Sequence, residues 1–148
     1  MSQGGPTLIK KYGHLVSSLA IIGCYLQTEL GHGSSVARLE TTATYIPETM
    51  EFELHSPTFT SSKWWIGGLS KTATHGVVQA KLILPSGEDM GPHLFFVQLR
   101  SLGTTRVICR IKVWLLTFID DHKVLPGIQI GDIGMFTRFR RLLFIDLS

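Results

Sequence analysis

The sequence predicts a mainly β domain led by one short helix, and three observations predict it. After residue 20 the chain becomes a series of apolar or alternating runs rich in β-branched and aromatic residues. Turn-forming clusters such as "IPET" (46–49) and "PSGEDMGP" (85–92) separate those runs at hairpin spacing. The length of 148 residues, with 44% hydrophobic and 17% charged residues, suits one domain with its own core.

Each element has a local reason. In "GGPTLIKKYGHLVSSLA", Pro6 suits a first helical position, and Leu8, Ile9, Tyr12, Leu15 and Val16 fall on one stripe. Gly13 interrupts that helix at a cost of roughly 1 kcal/mol against alanine. "AIIGCYLQTE" follows as an apolar strand, and "LETTATYI" is β-branched and partly alternating. "MEFELHS" alternates cleanly, with Met50, Phe52 and Leu54 on one face and Glu51, Glu53 and His55 on the other. Pro47 stands in the tight connection between these two runs, so residues 39–55 are expected to form a hairpin. "GVVQAKLIL" and "HLFFVQLRSL" are the next strands, "RVICRIKVWLLTFI" has strong strand propensity, and "PGIQIGDIG" follows.

Composition narrows the function classes. The formal net charge is +3, with a short basic cluster at Arg138, Arg140 and Arg141 that reads as a solvated end, with no nucleic-acid motif around it. Cys24 and Cys109 lie inside apolar runs and read as buried free thiols. The N-terminal stretch lacks the apolar core of a signal peptide, and the longest apolar run is too short to span a bilayer, so a soluble chain is expected. The six histidines (14, 32, 55, 75, 93 and 122) show no metal-ligand spacing, so no metal is expected. Neither Ser34 nor Ser35 stands in a nucleophile elbow.

Two stretches invite a ligand. "TELGHGSS" (28–35) is a glycine-bracketed loop after a strand, where Gly31 and Gly33 allow close backbone approach; an ordinary loop reads the same way. "SSKWWIGGLSK" (61–71) places two of the three tryptophans side by side before a glycine pair. Two tryptophans on a barrel wall, one inside and one out, would explain the aromatics. They would not explain the glycines, which suggest close approach of a ligand or another backbone.

Taken in order, "QTELGHGS", "LETTAT", "HSPTFTSSKWWIGGLSK" and "LPGIQIGDIG" resemble the acyl-CoA oxidases, the peroxisomal branch of the acyl-CoA dehydrogenase superfamily. The resemblance covers residues 19–102 and 120–135. It implies the family's middle-domain β-barrel at 20–135, preceded at 1–19 by the end of a helical domain. Residues 103–119 have no counterpart and read as an insertion, and 136–148 as a non-family tail. The implied cofactor is FAD. The resemblance assigns Thr28, Tyr25, Trp65 and Gly67 to the flavin and Ser34 to the acyl-CoA. It implies the oxidation of acyl-CoA by oxygen to trans-2-enoyl-CoA and hydrogen peroxide, in peroxisomal fatty-acid β-oxidation. The family's glutamate base lies in a C-terminal helical domain, and none of the glutamates here matches its motif. The expectation is therefore a flavin-binding segment with no catalytic residue, inactive alone, with the family's homodimer contacts in helical parts beyond this sequence. A non-catalytic β domain derived from such an enzyme is the alternative. Ile66 and Ser70 depart from the family's usual "WWPGGLG", and Arg38 replaces a glycine.

Overall fold

The computed structural model describes residues 4–102, 122–132 and 143–147. It is mainly β with one helix, as the sequence predicts. Helix α1 spans Pro6–Ser17, with Pro6 in its first turn. It ends in a left-handed residue, Leu19 (φ 56°). The Ala20 amide donates to the Leu15 carbonyl (2.9 Å) and the Leu19 amide to Val16 (3.1 Å), so two terminal carbonyls are satisfied. Leu8, Tyr12, Leu15 and Val16 of the expected stripe are half-buried, while Ile9 is exposed.

The strands are β1 (Gly23–Leu26), β2 (Thr42–Ile46), β3 (Glu51–His55), β4 (His75–Ile83), β5 (Asp89–Gln98), β6 (Ile128–Asp132) and β7 (Leu143–Leu147). Strand β4 organises a five-stranded sheet. β1 pairs parallel with its first half, Gly23 opposite His75. β2 pairs parallel with its second half, Thr42 opposite Lys81. β5 pairs antiparallel with β4 from Gln98 to Asp89. The expected 39–55 hairpin is present as the antiparallel pair β2–β3, with Tyr45 opposite Phe52. Its turn takes in Met50, which has φ 56° and is exposed, so the alternating strand begins one residue later than the pattern suggests. β6 and β7 form a separate antiparallel ribbon, so part of the "RLLFIDLS" run is a strand. The expected strand at 106–119, the insertion at 103–119, Cys109 and the basic cluster lie outside the described residues, as does 136–142 of the tail.

The β4–β5 connection is shorter than the expected 85–92 cluster, since Asp89–Pro92 already belong to β5. The Gly87 amide donates to the Leu84 carbonyl (2.8 Å), and Gly87 takes φ 85°, a conformation that favours glycine. A register shift between Lys81 and Ile83 comes where Pro92 pairs with Lys81, and a bulge is where a strand tolerates proline.

The core forms where Leu26 of β1, Val78 of β4 and Leu99 just after β5 meet Ile66, Leu69, Leu125 and Ile128. Each such side chain contributes about 1.5–3 kcal/mol on full burial. Gly76 stands where a Cβ would lie 2.2 Å from the Leu26 Cδ1 atom, so β1 closes on β4 only over a glycine. Cys24 is half-buried and unpaired, and burial pushes its thiol up to about 11, so it stays protonated and inert at neutral pH.

Tyr12 brings α1 onto the sheet, edge-on to both His75 (5.7 Å) and Phe96 (5.0 Å), with His75 stacked on Phe96. His75 is buried, its Nδ1 meets the Thr74 hydroxyl at 3.1 Å, and its Nε2 has no partner among the described residues. Burial lowers its pKa. The unfolded chain, with an ordinary histidine pKa of about 6.5, therefore binds more protons than the folded one just below that pH. Stability is expected to fall as pH drops below about 6.5, and His75→Phe should flatten that limb; urea titrations between pH 5 and 7 measure it.

Candidate functional site

The two ligand-inviting stretches meet. Glu29 and Lys63 form an antiparallel bridge. The Trp64 amide donates to the Thr28 carbonyl (2.8 Å) and the Leu30 amide to Ser62 (2.9 Å). This is the pattern that flanks a non-hydrogen-bonded pair, whose side chains lie on the same face. Glu29 and Lys63 point inward and are buried, so alternation turns their neighbours Thr28 and Trp64 to the opposite face, where both are half-buried.

Beneath them is a fully buried ion pair, Lys63 Nζ to Glu29 Oε1 at 2.9 Å. The ammonium's other two donors go to the carbonyls of Gln79 (2.7 Å) and Gln27 (3.3 Å). The carboxylate also accepts from the Thr41 amide (3.1 Å), the Thr41 hydroxyl (2.5 Å) and the Glu40 amide (2.8 Å). Burial lowers the Lys63 pKa, and the Glu29 charge opposes that shift. Removing one partner of such a pair leaves an uncompensated buried charge, typically a loss of about 3–5 kcal/mol.

The chain then turns abruptly. Trp65 has φ 66°, a left-handed conformation that is rare for a bulky residue, and it is 58% exposed. That turn breaks the alternation, so the residue entering the core is Ile66 and not a tryptophan. The inside-and-outside arrangement of two wall tryptophans is therefore not what the chain adopts. Gly67 is exposed, and among the described residues beyond its chain neighbours no atom lies within 4 Å of where its Cβ would stand. Gly68 takes φ 77°.

The far side of the turn is held by Arg100, itself buried. Its guanidinium donates to the carbonyls of Leu69 (2.6 Å), Ala73 (2.7 Å) and Ser70 (2.7 Å). His122 Nε2 donates to the Lys71 carbonyl. The WWIGG segment thus runs between two buried cations, Arg100 bonded to three carbonyls and Lys63 to two carbonyls and the Glu29 carboxylate.

The other expected site residues are placed as follows. Tyr25 is exposed on β1, its hydroxyl donating to Gln79 Oε1 (3.3 Å). Ser34 is exposed in the loop after Gly33. Gly31 fits the ordinary-loop alternative: a Cβ there would meet the Thr60 side chain at 2.9 Å, so the close approach is to the protein's own segment 58–61. The loop is braced by His32 Nε2 against Glu40 Oε1 (2.8 Å), and Glu40 also accepts from Thr58 and Thr60. The Thr58 hydroxyl, foremost, holds the Glu40 carboxyl below its ordinary pKa. Thr58 and Ser61 cap each other in a 3₁₀ turn, each side chain bonded to the other's amide at 3.1 Å. Among the described residues no group of three metal-capable side chains assembles, and no helix is long and apolar enough to cross a membrane. Glu29, Thr41 and Arg100 carry much of this geometry; Glu29 and Thr41 lie inside the "QTELGHGS" and "LETTAT" runs, but the sequence assigns none of the three a role.

No family model matches the chain. Curated proteins and solved structures do. The chain is 53% identical over 133 residues to putative peroxisomal acyl-coenzyme A oxidase 1.2 of Arabidopsis thaliana, covering 90% of this chain and 17% of that protein. Human peroxisomal acyl-coenzyme A oxidase 1 is 49% identical over 136 residues, with 90% and 18% covered. The chain is similar to one segment of the acyl-CoA oxidases. It spans about a fifth of the length of the relatives it matches. The structure of Arabidopsis thaliana acyl-CoA oxidase 1 superposes with a TM-score of 0.81 at 45% identity, over 99% of this chain and 20% of that one. Acyl-CoA oxidase-2 of Caenorhabditis elegans, bound with FAD, ascaroside-CoA and ATP, gives a TM-score of 0.81 at 38% identity, with 99% and 20% covered. The expected resemblance and the mainly β class agree with these relatives, and the curated ones are named peroxisomal.

The clamp on the turn is testable by itself. Arg100→Met is expected to destabilise the chain by about 3 kcal/mol, because three carbonyls lose a charged donor. Thermal unfolding reads the loss, and amide exchange should speed up at residues 69–73 before it does in β4.

Proposed function

We propose that this chain supplies the FAD-facing β wall of an acyl-CoA oxidase-type site and carries no catalytic base of its own. The observation that carries the reading is the junction of the two motifs. Thr28 is bonded through its carbonyl to Trp64, and the next turn leaves Trp65 exposed and Gly67 open. A flavin ring is planar, largely apolar and polar along one edge. An exposed indole beside a glycine with open space above it, with a hydroxyl one strand away, fits that chemistry.

In this reading Thr28 hydrogen-bonds the polar edge of the ring, Trp65 covers a face, and Gly67 admits the ring where a side chain would exclude it. Tyr25, on the same strand as the Thr28 loop, extends the wall, and Ser34 contacts the acyl-CoA. FAD, when bound, supplies the two-electron oxidation of the thioester's acyl chain in peroxisomal β-oxidation. The proton acceptor comes from elsewhere in the longer enzyme, so the chain alone turns over no substrate. The same reading takes residues 1–19 as the end of a helical domain, 20–135 as the middle domain with an insertion at 103–119, and 136–148 as a tail outside the family pattern. FAD and ascaroside-CoA in a relative at 38% identity support the cofactor and the substrate class.

Titration of the purified chain with FAD, followed by flavin fluorescence, tests this. Saturable binding is expected. Gly67→Trp should abolish it without loss of stability, since its Cβ enters open space. Trp65→Gly suits φ 66° and should keep the fold while weakening binding at least about tenfold. A wild-type chain that binds no FAD would favour a non-catalytic β domain derived from such an enzyme.

A further inference from the structure

The Glu29–Lys63 pair is in excess of what stability requires. A buried ion pair is often no more stabilising than two apolar side chains of the same volume, so burial of charge here calls for another reason. Directionality supplies one. Apolar packing tolerates slippage, whereas this pair spends three ammonium donors and four carboxylate acceptances on fixed partners. Those partners belong to four separate stretches: Gln27–Glu29, Glu40–Thr41, Lys63 and Gln79 of β4. The residues immediately beside the pair are Thr28 on one side and Trp64–Trp65 on the other.

We infer that Glu29 and Lys63 are a positioning pair, which fixes where Thr28 stands relative to the Trp65–Gly67 turn and so sets the fit to the flavin ring. The inference rests on the flavin-facing role proposed above. Neither residue touches the ring. Lys63 anchors the Trp65 side to the middle of β4 through the Gln79 carbonyl, and Glu29 anchors the Thr28 side to the start of β2 through Thr41. Both halves of the wall are thereby referred to one rigid sheet, as an accurately held site requires.

The double variant Glu29→Gln/Lys63→Met separates positioning from stability. It removes both charges at similar volume, so it should regain most of the melting temperature that Lys63→Met alone loses. The bonds to the Gln79 and Gln27 carbonyls stay absent. The double variant is therefore expected to bind FAD at least about tenfold more weakly than wild type, with a broadened visible flavin band. Binding within about twofold of wild type, with an unchanged band, overturns the positioning role alone. A wild-type chain that takes up no FAD overturns the functional reading, and this role with it. A mutation-free measurement guards against a variant that does not fold. In wild type, the Trp64 and Leu30 amides should exchange as slowly as the Val78 amide of β4. Fast, loop-like exchange at Trp64 and Leu30 overturns the inference.

Discussion

One buried contact, the 2.9 Å ion pair between Lys63 and Glu29, organises the region proposed to face the flavin. It ties a loop after β1 to the segment before the tryptophan turn, and both to β2 and β4. Without it, the Thr28 loop and the WWIGG segment would be two independent surface stretches joined by a few backbone bonds. The geometry of the pair explains an otherwise odd distribution of polarity. Charge lies inside, where it is fully hydrogen-bonded, and indole lies outside, where it has little to pack against. An exposed tryptophan in a left-handed conformation gains little from the fold and costs on the order of 1–3 kcal/mol in backbone strain. Such a feature is held by its surroundings, and here the holding groups are Lys63 before the turn and Arg100 after it.

The sheet serves the same end. β4 accepts β1 along its first half and β2 along its second, both parallel, so the loops leaving β1 and entering β2 converge beside one strand. The Gln79 carbonyl that receives Lys63 lies in the middle of β4, between its pairings with β1 and β2. Helix α1, by contrast, meets the sheet with Tyr12 against His75 and Phe96 and adds no fully buried residue. Its role in the described structure is local.

Much of the fold was legible in the sequence where short-range rules operate. Pro6 marks the helix start, Pro47 the β2–β3 turn, and "PSGE" the β4–β5 connection, because each depends on residues a few positions apart; the rest of that turn cluster, Asp89–Pro92, belongs to β5 instead. The parallel pairing of β1 and β2 with β4 was not legible, since it joins residues more than thirty positions apart with no local signature. At the site, motif resemblance pointed to Thr28, Trp65 and Gly67, and the structure brings the Thr28 loop and the tryptophan segment together. The means of joining them was hidden. Glu29 and Lys63 are 34 residues apart, and charged residues are almost never fully buried unless paired. Gly31 fitted either a ligand-facing or an ordinary loop in the sequence, and the structure shows Thr60 as the neighbour that requires it. Alternation also misled at "KWWI", because a left-handed residue resets which side chain turns inward.

The most direct test of this account is the amide NMR spectrum of the isotopically labelled chain, recorded as FAD is added. The account predicts that the shifted amides cluster at residues 25–30 and 64–68, with α1 and β5 unaffected. Shifts confined to α1 or β5, or no shifts at saturating FAD, would contradict it.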